Sequence, residues 1–152
     1  PIFGRYEVYP EMELSQCLGR MEWTYALYPH TGDWTQGVYA QAEELNLPLE
    51  AAQAGPRKGV LPKSMSFLTL TGRNLQLTAF KKAEDRNSAY VVRVFNPCAK
   101  AVAGALTVWR PVKNAWLTDL NEKRLQKLEA QGNKLPLNVG GKKIVTVEFA
   151  LG

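Results

Sequence analysis

Leu135-Pro136-Leu137-Asn138-Val139-Gly140-Gly141-Lys142-Lys143-Ile144-Val145-Thr146-Val147-Glu148-Phe149 is the stretch that decides the fold class. Leu135, Leu137 and Val139 alternate with Pro136 and Asn138, and Val145, Val147 and Phe149 alternate with Thr146 and Glu148. A period of two sends successive side chains to opposite faces, so each run reads as a half-buried β-strand. Gly140-Gly141 between them is a turn signal.

The pattern extends backward. Ser64 to Thr71 is followed by Gly72-Arg73-Asn74 and then by Leu75 to Phe80, where Leu75, Leu77 and Ala79 are expected on one face. Asp85-Arg86-Asn87-Ser88 leads to Tyr90 to Phe95, with Tyr90, Val92 and Val94 on one face, and Asn96-Pro97 breaks that run. Val102, Leu106 and Val108 mark a further strand, and Ala115 to Leu120 another. Many short strands separated by turns at this spacing predict an all-β chain built as an antiparallel β-sandwich. Asp119 to Gly132 conflicts with this, because its Glu, Lys, Arg, Gln and Leu content favours helix. Leu120, Leu125 and Leu128 fit a helical stripe only loosely, and the residues alone leave helix and strand equally open.

Gly55-Pro56-Arg57-Lys58-Gly59 is polar and rich in breakers, the composition of a linker or long loop. It separates residues 1–56 from residues 60–152. In the first part, Trp23, Tyr25 and Leu27 alternate with Thr24 and Ala26, which predicts a strand from about Met21 to Tyr28, ended by Pro29. A short helix is expected from about Trp34 to Leu45. Asp33 and Gln36 have capping-box spacing, Val38, Tyr39, Ala42 and Leu45 share a face, and Asn46 and Pro48 stop it. Pro1 to Gly19 has no clear period. One helix and one or two strands do not complete a domain, so this part reads as cut from a larger sheet. A chain starting at Pro1 fits either processing or the tail of something longer.

The 152 residues are 45% hydrophobic, enough for a core of ordinary size. The net charge is +5, but acids are mixed among the bases, as in Lys81-Lys82-Ala83-Glu84-Asp85-Arg86. That mixture reads as a solvated surface, and no nucleic-acid partner is expected. No long apolar run predicts a transmembrane helix, so no membrane partner is expected either. Nor does a charged start lead into an apolar signal core. Cys17 and Cys98 form no Cys-x-x-Cys motif, which excludes a zinc knuckle or thioredoxin-like site. Two isolated cysteines without a signal peptide fit a reducing cytoplasm, the expected location.

Chemistry has little to work with. His30 is the one histidine, so no second imidazole can join a metal site, and no metal ligands are expected. No Gly-x-Ser-x-Gly elbow, P-loop or Gly-x-Gly-x-x-Gly occurs. No carboxylate pair is marked out for glycoside hydrolysis. No catalytic residue is therefore expected in this chain. The most distinctive cluster is Tyr25-Ala26-Leu27-Tyr28-Pro29-His30-Thr31-Gly32-Asp33-Trp34. It reads as a structural corner, with Gly32 permitting an unusual backbone angle and Trp34 filling an apolar gap. It also reads as a sugar-facing patch, with aromatic rings for pyranose faces and His30 or Asp33 for hydroxyls. His30, Asp33 and Trp34 are the candidate substrate-cleft residues.

That cluster resembles the Tyr-Ala-Leu-x-Pro-His-x-Gly-Asp-Trp signature of glycoside hydrolase family 38, the α-mannosidases, near the end of their large β-domain. Gly59-Val60-Leu61-Pro62 with Ser66-Phe67-Leu68 is similar to the start of that family's final β-domain. Leu77 to Asp85 and Val92 to Asn96 resemble its next two strands, and Ile144 to Phe149 its closing strand. The resemblance is collinear over nearly the whole chain and weakest over Pro1 to Glu13. It implies that residues 1–56 are the tail of the large β-supersandwich domain and residues 60–152 the closing C-terminal sandwich. It also implies that the stretch like Ala115 to Leu128 is strand, turn at Asn121-Glu122, and strand.

Family members are retaining α-mannoside hydrolases whose catalytic barrel holds the nucleophile and a zinc ion. None of those residues can be carried over, since the barrel has no counterpart here. The resemblance implies an accessory region that has no cofactor of its own and belongs to a parent with zinc in its catalytic domain. Its expected partners are that barrel and a mannoside substrate, whose cleft its loops would help to close. A second reading, from the sandwich pattern and Trp23, Trp34, Trp109 and Trp116, is a freestanding carbohydrate-binding module; most of these tryptophans are expected in the core.

Overall fold

The computed structural model describes residues 17–56 and 58–152. After the helix α1 (Val38–Asn46) come β1 (Leu68–Thr71), β2 (Gln76–Lys82), β3 (Ala89–Phe95), β4 (Val102–Val108), β5 (Val112–Thr118), β6 (Arg124–Leu128), β7 (Lys134–Val139) and β8 (Ile144–Leu151). The strands form a three-stranded sheet, β1-β4-β7, and a five-stranded sheet, β2-β3-β8-β5-β6. Every pairing is antiparallel. The expected antiparallel β-sandwich with one short helix is the observed fold.

The core lies between the sheets. Leu106, Val108, Leu135, Leu137 and Val139 from the smaller sheet meet Val92, Val94, Ala115, Val147 and Phe149 from the larger one. Full burial of such a side chain stabilises by about 1.5–3 kcal/mol before the entropy of ordering it is counted. The strand β7 carries the expected alternation, whereas β8, expected to be half-buried, is buried on both faces from Thr146 to Phe149, and the two strands do not pair with each other. The first pairs with β4 (Leu135 opposite Leu106), and the second lies between β3 and β5. Gly140-Gly141 is thus a corner where the chain changes sheets. The backbone there runs so close to Ala99 that a Cβ on Gly141 would collide with the Ala99 carbonyl.

Ala115 to Leu128 follows the hairpin expectation, against the helical propensity of Asp119 to Gly132. Its two strands pair Ala115 with Leu128 and Leu117 with Gln126, and Glu122 takes a left-handed backbone (φ 64) in the turn. Tertiary pairing overrides a weak intrinsic preference.

Other expectations need correction. In β2 the register slips between Leu77 and Ala79, so Leu77 faces Val94 and Phe80, not Ala79, faces Val92. A bulge of this kind shifts the side-chain period by one. The helix begins at Val38 and not Trp34. Gly37 (φ 91) occupies its N-cap without a side-chain cap, and Asp33 bonds within the preceding turn, so the capping box does not form. The strand expected at Met21 to Tyr28 is absent among the described residues. Trp23, Tyr25 and Leu27 are 79%, 85% and 87% exposed there. Alternation supplies a face, but a strand also needs a neighbour for its N–H and C=O groups, and no described strand lies beside this segment. Most of Pro1 to Gly19 lies outside the described residues. Among the described residues, no helix is long and apolar enough to cross a membrane.

Burial is not confined to the inner face of the larger sheet. Thr146 and Glu148 are buried on its outer face, as are Ala89 and Val91. Something must cover them, and the loops at the strand ends do so.

Candidate functional site

The three sequence candidates are placed by the chain between Tyr28 and α1. His30 is exposed, stacks on Tyr28 at 5.8 Å, and its Nδ1 lies 3.3 Å from the Thr31 carbonyl oxygen. It borders an open groove of about 530 Å3 between the extended segment and α1, with Leu27, Tyr28, Ala42 and Leu45 as apolar walls. Gln41 donates to Glu44 at 3.0 Å on the same rim.

Asp33 does not line that groove. Its Oδ1 accepts from the Thr35 amide at 2.9 Å and from the Thr35 hydroxyl. The Thr35 hydroxyl and amide hold the carboxyl below its ordinary pKa, and the charges of Arg73 and His30 add to this. Gly32 takes φ 78 just before it, the backbone freedom expected of that glycine.

Trp34 turns away from His30's groove. Its ring meets Tyr39 edge-on at 5.6 Å and lies under the Lys142 ammonium, 5.3 Å from the centroid. Lys142 sits at the sheet-changing corner, so Trp34 links the turn before α1 to the sandwich. The structure therefore does not gather His30, Asp33 and Trp34 around one point.

A denser polar cluster lies elsewhere, on the outer face of the five-stranded sheet. Glu148, 1% exposed, accepts from Arg124 through Nε at 3.1 Å and Nη2 at 2.5 Å, and pairs with Arg86 at 2.9 Å. Arg124 also stacks over Trp116, 5.0 Å from the ring centroid. Glu122 in the β5–β6 turn pairs with Lys81 at 2.6 Å and accepts from the Glu84 amide at 2.8 Å. The Lys81 ammonium and the Glu84 amide hold the Glu122 carboxyl below the usual carboxylate range. Arg86 donates to the Glu122 carbonyl at 3.4 Å, and Arg93 to the Thr146 hydroxyl and the Leu120 carbonyl, each at 3.3 Å.

Sequence reasoning missed this cluster. Glu148 stands at a polar position of an alternating strand, where a solvated side chain is the ordinary reading, and Lys81 to Arg86 looked like mixed surface charge. A second hidden hub is Asn96, fully buried. Its amide donates to the carbonyls of Lys100, Val139 and Gly140, and its Oδ1 accepts from the Cys98 amide. Among the described residues, no group of three His, Cys, Asp or Glu side chains could hold a metal ion.

Residues 74–147, from just before β2 into β8, match the model of the glycosyl hydrolases family 38 C-terminal beta sandwich domain. The chain carries the C-terminal β-sandwich of glycosyl hydrolase family 38. It is similar to alpha-mannosidase 2C1 of Mus musculus, 34% identical over 126 residues, covering 79% of this chain and 12% of that protein. It is also similar to a putative mannosylglycerate hydrolase of Halalkalibacterium halodurans, 28% identical over 137 residues, 89% of this chain and 15% of that one. The chain thus spans a small part of these relatives' length. Both alignments are longer than the family 38 sandwich match, so similarity extends beyond residues 74–147.

Proposed function

We propose that this chain is the C-terminal accessory region of a retaining, zinc-dependent α-mannosidase. The observation that carries the reading is the family 38 C-terminal sandwich match, joined to relatives of which this chain covers 12% and 15%. The zinc and the nucleophile belong to a catalytic barrel elsewhere in the parent polypeptide, and the substrate is a mannoside. Residues 1–56 are the end of the preceding β-domain. The unpaired, exposed stripe of Trp23, Tyr25 and Leu27 supports this, because apolar residues on extended backbone suit a strand within a larger sheet. His30, Asp33 and Trp34 lie on the side of the chain that helps close the sugar cleft. The parent works in the cytoplasm.

The test is hydrolysis of an aryl α-mannoside by the purified chain with added zinc. No turnover is expected; zinc-dependent turnover free of longer protein overturns the proposal. The alternative of a freestanding carbohydrate-binding module is favoured by the exposure of Trp23 and Trp34. Titrating mannose-containing oligosaccharides against tryptophan fluorescence separates the two. A saturable change that Trp23→Phe and Trp34→Phe abolish supports the module, and a flat response, or one that survives both substitutions, supports the accessory reading.

A further inference from the structure

We propose that the outer face of the five-stranded sheet holds a second binding site, for one neutral polyhydroxylated ring such as a monosaccharide. A cavity of about 400 Å3 opens there between Lys81, Asp85, Arg93, Leu120, Asn121 and Glu122. That size falls within the range of about 300–1,000 Å3 typical of small-molecule sites.

The walls are held by bonds already made. Glu122 is fixed by Lys81 and the Glu84 amide, and Arg93 by Thr146 and the Leu120 carbonyl. What remains unused faces the cavity. Arg93 keeps Nη1, while the Asp85 carboxylate and the Asn121 carboxamide make no side-chain hydrogen bond among the described residues. Together they offer donors and acceptors side by side. Adjacent hydroxyls on a ring each donate and accept, so a vicinal diol can use both kinds at once. Leu120, 59% exposed, gives an apolar edge for the C–H face of the ring.

The charges argue against other ligands. Lys81 and Arg93 face Glu84, Asp85 and Glu122, two positive against three negative, and Lys81 is engaged by Glu84 and Glu122. An anion such as phosphate is disfavoured. A divalent cation lacks a ligand group, since no three-residue metal cluster exists among the described residues. The site is separate from the His30 groove and does not depend on the accessory role, so either can fail alone.

The experiment is an amide-resolved NMR titration of the 152-residue chain with methyl α-mannoside, with cyclohexanol and inorganic phosphate as parallel ligands. The sugar is expected to shift the amides of Asp85, Arg93, Leu120 and Asn121 saturably, with a dissociation constant on the order of millimolar. Cyclohexanol and phosphate should leave them in place. Asp85→Ala and Asn121→Ala, both exposed and so compatible with an intact fold, should each weaken the sugar about tenfold. The proposal is overturned if the four amides do not respond, if cyclohexanol moves them equally, or if both variants bind like the parent chain.

Discussion

Lys81 on β2 and Glu122 in the β5–β6 turn lie 2.6 Å apart, although β2 and β6 are opposite edges of the five-stranded sheet. The contact exists because the β2–β3 loop and the β5–β6 turn both fold across the outer face and meet there. Beneath them sit Val91, Thr146 and Glu148, all buried. Glu122→Ala removes the ion pair and strands the Glu84 amide, at a cost on the order of 2 kcal/mol in urea unfolding. Glu122→Gln keeps an acceptor for that amide and should cost less. Midpoints equal to the parent chain's for both variants would show that the cross-sheet contact adds nothing.

The same contact predicts acid sensitivity. Glu122 has its folded pKa lowered from 4.5, chiefly by Lys81 and then by the Glu84 amide. Its stabilisation is fully present above the unfolded value and is lost as pH falls through the folded one. Lys81 is raised from 10.5 by Glu122 and Glu84, so its share is fully present below the unfolded value and lost as pH rises through the folded one. Both shifts describe one ion pair and are not to be added. Thermal melts should therefore fall more steeply below about pH 4.5 in the parent chain than in Glu122→Gln. Parallel acid limbs would rule out this linkage.

Much of the sandwich was legible because half-buried strands show their period directly. Leu135, Leu137 and Val139 are buried while Lys134, Pro136 and Asn138 are exposed. Pairing was less legible. Met21 to Tyr28 alternates as well as β7 does, yet no neighbour for it lies among the described residues. The hairpin at Ala115 to Leu128 contradicted its own propensity and was readable only through resemblance to family 38. The outer-face cluster was hidden for a different reason. Whether Glu148 is solvated depends on Arg86 and Arg124, which arrive from distant loops, and no local pattern records that. At the His30 cluster the sequence marked a corner correctly in Gly32, but not that Trp34 would turn toward Lys142.

Glu148 has two arginines, and either one compensates its charge. Arg86→Ala or Arg124→Ala alone should cost about 1 kcal/mol, since both guanidinium groups are partly solvated. The double variant leaves a buried carboxylate unpaired and should cost clearly more than the two singles together. A double-mutant cycle by denaturant unfolding measures this. Simple additivity would mean that water reaches Glu148 once one arginine is gone.

Asn96 ends β3 and ties three carbonyls and one amide at the corner. Asn96→Ala takes a donor from the carbonyls of Lys100, Val139 and Gly140 and the acceptor from the Cys98 amide. Gly140 keeps a further partner, the Lys143 amide, and the expected loss is on the order of 2 kcal/mol. Asn96→Asp keeps the acceptor for the Cys98 amide but presents oxygen to three carbonyls, so it should fare no better than alanine. An aspartate variant as stable as the parent chain would remove the donor role assigned to this amide.

The glycine pair at the sheet-changing corner separates space from chain entropy. A Cβ on Gly140 meets only Lys143 side-chain carbon at 3.3 Å, which a flexible side chain can yield. A Cβ on Gly141 meets the Ala99 carbonyl, which is backbone and cannot move without shifting the corner. Neither glycine has a positive φ, so backbone strain does not enter. Alanine restricts the unfolded chain at both positions, a gain of about 0.4–1 kcal/mol where it fits. Gly140→Ala should therefore melt at or slightly above the parent temperature. Gly141→Ala should lose about 2 kcal/mol or more to overpacking, a fall of roughly 4–8 °C for a chain of this size. Matching melts for the two would show that the close approach at Ala99 is relieved at no cost.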